Sequence, residues 1–201
     1  MGARYNFGNQ TPFYRLALQS GILTGVAAGS ATAGHLFSFS WFEASPSKRG
    51  LIQRLRVRWQ TLTAFTAAQE IAFKFFRLTS YSAAHTGGLG ITKTTPNLKK
   101  AVRFPVPVFN EARIGNTGAL TAGVHNLDTE PFGGLNLWSQ AGAAPNVLAG
   151  ETVLDERNGD PGYLLDIGNE EGFLIRNEIA MGAAGTGRLL VEVDWAEVPR
   201  V

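Results

Sequence analysis

The sequence predicts an all-β fold, an antiparallel two-sheet sandwich of the jelly-roll kind, in a single β-sandwich domain spanning residues 1–201. Three observations predict it. Several stretches alternate apolar and polar side chains with a period of two, as half-buried strands do. The chain carries 24 glycines and only 17% charged residues, a composition suited to many turns. Only one segment admits a helical period, and it suits a strand better. With 201 residues and 44% hydrophobic content, the chain is long enough for one well-buried core.

The elements follow in order. Residues 1–13 are expected to form an N-terminal arm. "FYRLALQSGIL" alternates weakly and predicts a first strand, and "TGVAAGS" supplies small residues for a turn. In "HLFSFSWFEA", Phe37, Phe39 and Trp41 fall on one side and Ser38 and Ser40 on the other, which predicts a strand. "SPSKRG" is a loop. "KRGLIQRLRVRWQTL" then places Leu51, Leu55, Val57 and Trp59 on one face and Arg54, Arg56 and Arg58 on the opposite face. Three arginines on one strand face need acids or water opposite them. "FTAAQEIAFKFFRLTSYS" admits a helix with Ala68, Ile71, Ala72, Phe75 and Leu78 on one face. Three phenylalanines within four residues favour a strand from about Glu70 to Leu78.

Residues 83–110 read as an extended irregular loop. Gly87, Gly88, Gly90, Pro96, Pro105 and Pro107 interrupt any regular element, and Lys93, Lys99, Lys100 and Arg103 make the stretch basic. Beyond it, "ARIGNTGALTAGVHNLD", "GLNLWSQA" and "GETVLDERNGDPGYLLDIGNEEGFLIRNEI" offer short strands, with Asn158-Gly159 as a hairpin turn. The chain closes with "GRLLVEVDWAEV", where Leu189, Val191, Val193 and Trp195 oppose Glu192 and Asp194. This repeats the arginine strand's apolar pattern with the opposite charge. The arginines are therefore expected near Glu192 and Asp194. Eight to ten short strands are expected in all.

The net charge of +2 hides an asymmetry. Residues 1–103 hold 13 Lys and Arg against 2 Asp and Glu, while residues 104–201 hold 5 against 14. A basic half can mark a nucleic-acid arm, but this half is also rich in Phe, Trp and Leu. Strands of the two halves alternating within a sheet would neutralise each other, and that arrangement is expected. Residues 16–42 carry no formal charge, yet glycines, Gln19, Ser20 and His35 interrupt them before a membrane span is reached. Ala31-Thr32-Ala33 has the small-residue form of a signal cleavage site, but the apolar core before it is broken. A soluble, uncleaved chain is expected.

Little chemistry is legible. No Cys is present, which excludes disulfides, thiolate catalysis and cysteine-ligated zinc. His35, His85 and His125 are isolated in sequence without metal spacing, so a polar, solvent-facing role is expected for each. Gly-x-Ser-x-Gly and the P-loop are absent. "DERNGD" at 155–160 has calcium-loop composition, but Arg157 stands where a ligand belongs, so it reads as a turn. Asp155, Asp166, Glu170 and Glu171 cluster in sequence, which leaves room for a carboxylate pair of the glycosidase type. Trp41, Trp59 and Phe104 could stack on bases, yet Trp59 lies opposite the arginines and no nucleic-acid motif appears.

Three stretches taken together, "SKRGLIQRLRVRW…TAAQEIAFKFFRLTSYSAAHTGG", "TGALTAGVHNLDTEPFG" and "NEEGFLIRNEIAMGAAGTGRLLVEVDWAEV", resemble a group of tailed-bacteriophage virion structural proteins. The resemblance covers residues 14–198 in the same order and is most distinctive at the end. It does not extend its roles to Lys93–Val108. It implies a virion component with a small β-sandwich. A compact domain with a basic arm suits a non-enzymatic cement or decoration protein that binds and stabilises the capsid shell. Its partners would be the major capsid protein and copies of itself, as a homotrimer, without nucleic acid or membrane. It would be made in the host cytoplasm and sit on the capsid surface. The expected interface is Arg54, Arg56, Arg58, Lys93, Lys99, Lys100 and Arg103. No catalytic residue, cofactor or metal is expected. The other reading is a tail, collar or fibre-base component with a receptor- or glycan-binding role.

Overall fold

The computed structural model describes residues 11–29, 34–41, 48–93, 98–121, 123–142, 148–155, 165–168 and 170–199. Among these residues the chain is all-β, with two antiparallel sheets packed as a sandwich. The first sheet contains β1 (Phe13–Gln19), β2 (Leu23–Thr24), β4 (Lys48–Thr63), β10 (Leu148–Asp155), β11 (Leu165–Ile167) and β13 (Thr186–Pro199). Its order is β1-β13-β4-β10, with β11 also on β4 and β2 on β13. The second contains β3 (His35–Trp41), β5 (Gln69–Ala83), β6 (Leu89–Gly90), β7 (Phe109–Ile114), β8 (Val124–Leu127), β9 (Gly133–Ser139) and β12 (Glu171–Asn177). Its order is β6-β7-β3-β12-β5-β8, with β9 also on β5.

The all-β sandwich expected from the sequence is what forms, with differences in detail. Thirteen strands are present among the described residues rather than eight to ten, and two are long: β4 has 16 residues and β5 has 15. The Phe-rich segment is a strand, extending to Ala83 instead of ending at Leu78. The expected loop at 83–110 is more structured than proline and glycine imply. It contains β6, and its last two residues begin β7. Of the expected arm at 1–13, residues 1–10 lie outside the described residues and Phe13 already begins β1. Ala31–Ala33 and the Asn158-Gly159 turn also lie outside them. No helix of the described residues is long and apolar enough to cross a membrane.

Every strand pairing joins an element from the basic half to one from the acidic half. On the outer face of the first sheet this produces a row across four strands in direct register: Arg15 of β1, Asp194 of β13, Arg54 of β4 and Asp155 of β10. The neighbouring row sets Glu192 against Arg56. The inner faces close a single large core. Trp41, Trp59, Trp195, Phe37, Phe39, Phe73, Phe75, Phe109 and Phe173 are fully buried there. The sheets meet through ring contacts such as Phe39 with Trp195 at 5.4 Å and Trp59 with Phe73 at 5.4 Å.

One strand departs from half-burial. All seven residues of β3 are buried, Ser38 and Ser40 included. Alternation assigns these serines to the face opposite the core, so something covers that face. The cover is the far end of β5. Beyond Leu78, β5 pairs with β8, and the ladder continues through a Thr86–Thr121 bridge. The chain then turns at Gly87 and Gly88, both with positive φ, and reaches the edge of β7 as β6. A Cβ at Gly88 would lie 2.3 Å from the Ile114 carbonyl oxygen, so the turn needs glycine twice over. The result is a two-stranded flap over the outer face of β3 and β7.

Candidate functional site

The space under the flap is polar. Ser38, Ser40, Leu78, Tyr81, Ala83, His85, Glu111 and His125 pack closely around it, leaving no room for a water-sized molecule. Ser38 and Ser40 come from β3, Glu111 from β7, and His125 stands opposite Tyr81 in the β5–β8 ladder. His35 opens β3 at the end of this layer. Burying such groups is costly unless they find partners.

The three histidines converge here. Their ring centroids lie 4.9, 5.0 and 5.3 Å apart, and one ring nitrogen from each lies within 4.8 Å of the others. The His35 Nδ1 and His85 Nε2 atoms are 3.2 Å apart. Glu111 holds His85 from the other side. Its Oε2 accepts a hydrogen bond from the His85 backbone N–H at 3.2 Å and lies 3.7 Å from the ring Nδ1. Glu111 also faces the Arg113 guanidinium at 3.6 Å. Among the described residues, the polar atoms of this layer buried without a protein hydrogen-bond partner include His35 Nε2, His125 Nδ1, Glu111 Oε1 and the Ser38 hydroxyl.

These surroundings favour the neutral form of the His35 and His125 imidazoles. Burial, with the nearby His85, His125 and Arg176, pushes the His35 pKa down to about 3. Burial and His85 likewise lower His125, with Glu111 acting in the opposite direction. Burial also raises the Tyr81 phenol. A neutral imidazole can donate from one nitrogen and accept, or bind a metal, with the other.

This corrects the expectation that each histidine faces solvent. His35 is fully buried, His85 is nearly so, and His125 is half-buried. The residues lie 50 and 40 positions apart on three different segments, so no spacing could announce them. The only local trace is His35 opening an apolar strand next to an uncharged stretch.

The seven residues expected at an interface are placed differently from one another. Arg54 lies 3.3 Å from Asp194 and 3.5 Å from Glu192, and Arg58 is also paired with Glu192. The arginine face is thus largely answered from within the molecule. Arg56 sits between them, half-buried and in register with Glu192. Lys100 reaches Asp194 at 3.3 Å. Lys93 lies over the Phe109 ring at 6.0 Å, and Arg103 over Phe104 at 5.7 Å.

Lys99, Lys100 and Arg103 belong to a strap, residues Leu98–Val108, that covers the free edge of β1. Lys99 bridges to Tyr14, and the Lys100 N–H donates to the Phe13 carbonyl at 3.1 Å. Further on, Tyr14 Oη donates to the Pro105 carbonyl at 3.1 Å, and the Val108 N–H donates to Glu197 Oε1 at 2.8 Å. Leu98 is buried in the core, whereas Val102 is 96% exposed and Arg103 and Val106 are also exposed. Tyr14 and Trp195 stack beneath the strap with centroids 5.2 Å apart.

No protein-family model matches the chain, and no curated protein matches its sequence.

Proposed function

We propose that this protein is a non-enzymatic virion component of a tailed bacteriophage that binds the capsid shell and stabilises it. The observation that carries this reading is the strap. Its backbone is fixed at both ends to β1 and β13, while Val102, Arg103 and Val106 project outward. Such a prearranged ridge loses little conformational entropy on docking. It offers apolar contact and positive charge together, which suits an acidic, partly apolar groove on the major capsid protein or on another copy within a homotrimer.

Other features support the same reading. Numbering β1, β3, β4, β5, β8 with β9, β10 with β11, β12 and β13 as eight strands, the sheets run first–eighth–third–sixth and second–seventh–fourth–fifth. That order supports a jelly roll, a fold common in virus capsids. Several carboxylates are committed to cations: Glu171 to Arg77 at 2.6 Å, Glu178 to Arg176 at 2.5 Å, and Asp194 and Glu192 to the arginine face. This favours a protein that works by surface complementarity over one that works through a free carboxylate pair.

The test is attachment of purified protein to undecorated capsids. Attachment is expected to weaken as salt rises and to fall at least tenfold in a V102D/R103E variant of unchanged thermal stability. Attachment indifferent to both salt and these substitutions refutes the strap as the docking element. One observation favours the tail, collar or fibre-base reading: Trp138 is 68% exposed on β9, in a chain whose other three tryptophans are buried. Glycan binding that disappears in W138A, with labelled protein imaged on the tail, would select that reading instead.

A further inference from the structure

We infer that His35, His85 and His125 form a binding site for a divalent first-row transition metal, with zinc the best-matched ion. The argument is geometric. Imidazole nitrogens bind zinc at about 2.0–2.1 Å, so two of them on a tetrahedral ion stand about 3.3 Å apart. His35 Nδ1 and His85 Nε2 already stand 3.2 Å apart. With each ring aimed at a common ion, tetrahedral angles place ring centroids about 5.2 Å from one another. The three observed separations are 4.9, 5.0 and 5.3 Å. The ligand atoms lie within 4.8 Å, so closing on an ion needs small side-chain rotations and no movement of strands.

The hydrogen-bonding pattern points the same way. An N–H···N bond between His35 and His85 satisfies those two atoms alone. It leaves the buried Nδ1 of His125 without a protein hydrogen-bond partner, a cost that an ion bound through that atom would remove. Glu111 stands behind His85 with its Oε2 3.7 Å from Nδ1, so a small side-chain shift would let it accept from Nδ1–H and leave Nε2 for the ion. Three imidazole ligands suit zinc, copper, nickel or cobalt, and not calcium or magnesium.

The ion would act as a staple. His35 lies on β3, His85 on the crossing after β5, and His125 on β8, so one ion would pin the flap to the sheet beneath it. This supplies the flap with a bond that apolar burial does not, since Ser38 and Ser40 lie under it.

The test uses the full chain, stripped with a chelator and titrated with zinc or cobalt alone. One zinc per chain is expected. The cobalt form should show the visible absorption bands of a tetrahedral, nitrogen-ligated ion. Saturating zinc, at about 100 times the dissociation constant, should raise the melting midpoint by about 5–10 °C. The variant H125A, at the least buried ligand, should keep the metal-free midpoint and bind zinc at least tenfold more weakly. H85A should lose the cobalt spectrum. Long-range nitrogen NMR on the unaltered chain gives a readout that needs no variant, because zinc must shift the imidazole nitrogens of all three histidines. Absence of stoichiometric zinc overturns the site. So does zinc that binds without moving those resonances, or that binds H125A and H85A as tightly as the parent chain.

Discussion

Replacing Asp194 by Ala tests the charge row that ties the first sheet together. The carboxylate is 3% exposed and faces three cations. Arg15 grips it with Nε at 2.7 Å and Nη2 at 3.0 Å, while Arg54 and Lys100 each lie at 3.3 Å. The loss has two parts. The Arg15 side chain is 47% exposed and can return to water, so its fork is worth about 1 kcal/mol. Arg54 is only 19% exposed and cannot, and leaving buried charge under-compensated adds about 1–2 kcal/mol. The expected cost is about 2–3 kcal/mol, which lowers the midpoint of a chain this long by about 4–12 °C. R15A should cost about 1 kcal/mol or less. Differential scanning calorimetry at neutral pH compares the two. A D194A midpoint no lower than that of R15A refutes the claim that the row matters beyond its exposed end.

The same carboxyl has a pH signature. Burial would raise its pKa, but the Arg15 hydrogen bonds and the charges of Lys100, Arg54 and Arg15 outweigh burial and hold it below the ordinary 3.8. A carboxyl held lower in the fold than in the unfolded chain stabilises above its unfolded value. That contribution fades as pH falls below about 3.8 through the folded value. D194N should therefore flatten the acid limb of the midpoint-against-pH curve. Glu197 acts in the opposite sense. Burial raises its pKa against the Val108 N–H and Lys48, so its contribution is greatest below 4.5 and is lost as pH rises through the folded value.

Two further outcomes are expected. G88A should destabilise by about 1–3 kcal/mol, because φ is +59° and the Ile114 carbonyl occupies the Cβ position, whereas G118A meets nothing within 4 Å and should be near neutral in urea titration. Iodide should quench Trp138 fluorescence and leave that of Trp41, Trp59 and Trp195 untouched, so the W138F variant should lose its quenchable fraction while keeping its fold.

Much of the fold was legible because burial on one side writes a period of two. β4 and β13 could be read from Leu55, Val57 and Trp59 and from Val191, Val193 and Trp195, and the opposite charges of their outer faces foretold the Arg54, Arg58, Glu192 and Asp194 contacts. β5 was harder for a physical reason. Phe73 and Phe75 enter the main core, while Phe76 and Leu78 join Leu174 in a second cluster, so both faces are apolar and the period blurs. The candidate site was not legible at all. Alternation assigns Ser38 and Ser40 to a face, but does not say that a flap will cover it. The histidines meet only after β5 overruns the sheet and β8 returns to it, a long-range event that leaves no local spacing.

The interleaving of the two halves explains the charge asymmetry better than a binding arm does. If each sheet alternates strands from residues 1–103 with strands from 104–201, opposite charges on the halves become opposite charges on neighbouring strands. Charge can thereby bias which strands become neighbours, but it does not fix their register. Sliding β4 by two residues along β13 would place Arg56 against Asp194 and Arg58 against Glu192, which are still attractive pairs. Steric fit makes the distinction. The Trp59 ring lies over Gly187, where a Cβ would come within 2.1 Å of it. A two-residue slide moves that ring onto Leu189 or off the end of the strand, and a one-residue slide turns Trp59 out of the core. Pairing by charge and register by one glycine under one tryptophan are separate instructions. The outer face can therefore exchange charged residues more freely than the Gly187–Trp59 contact can change.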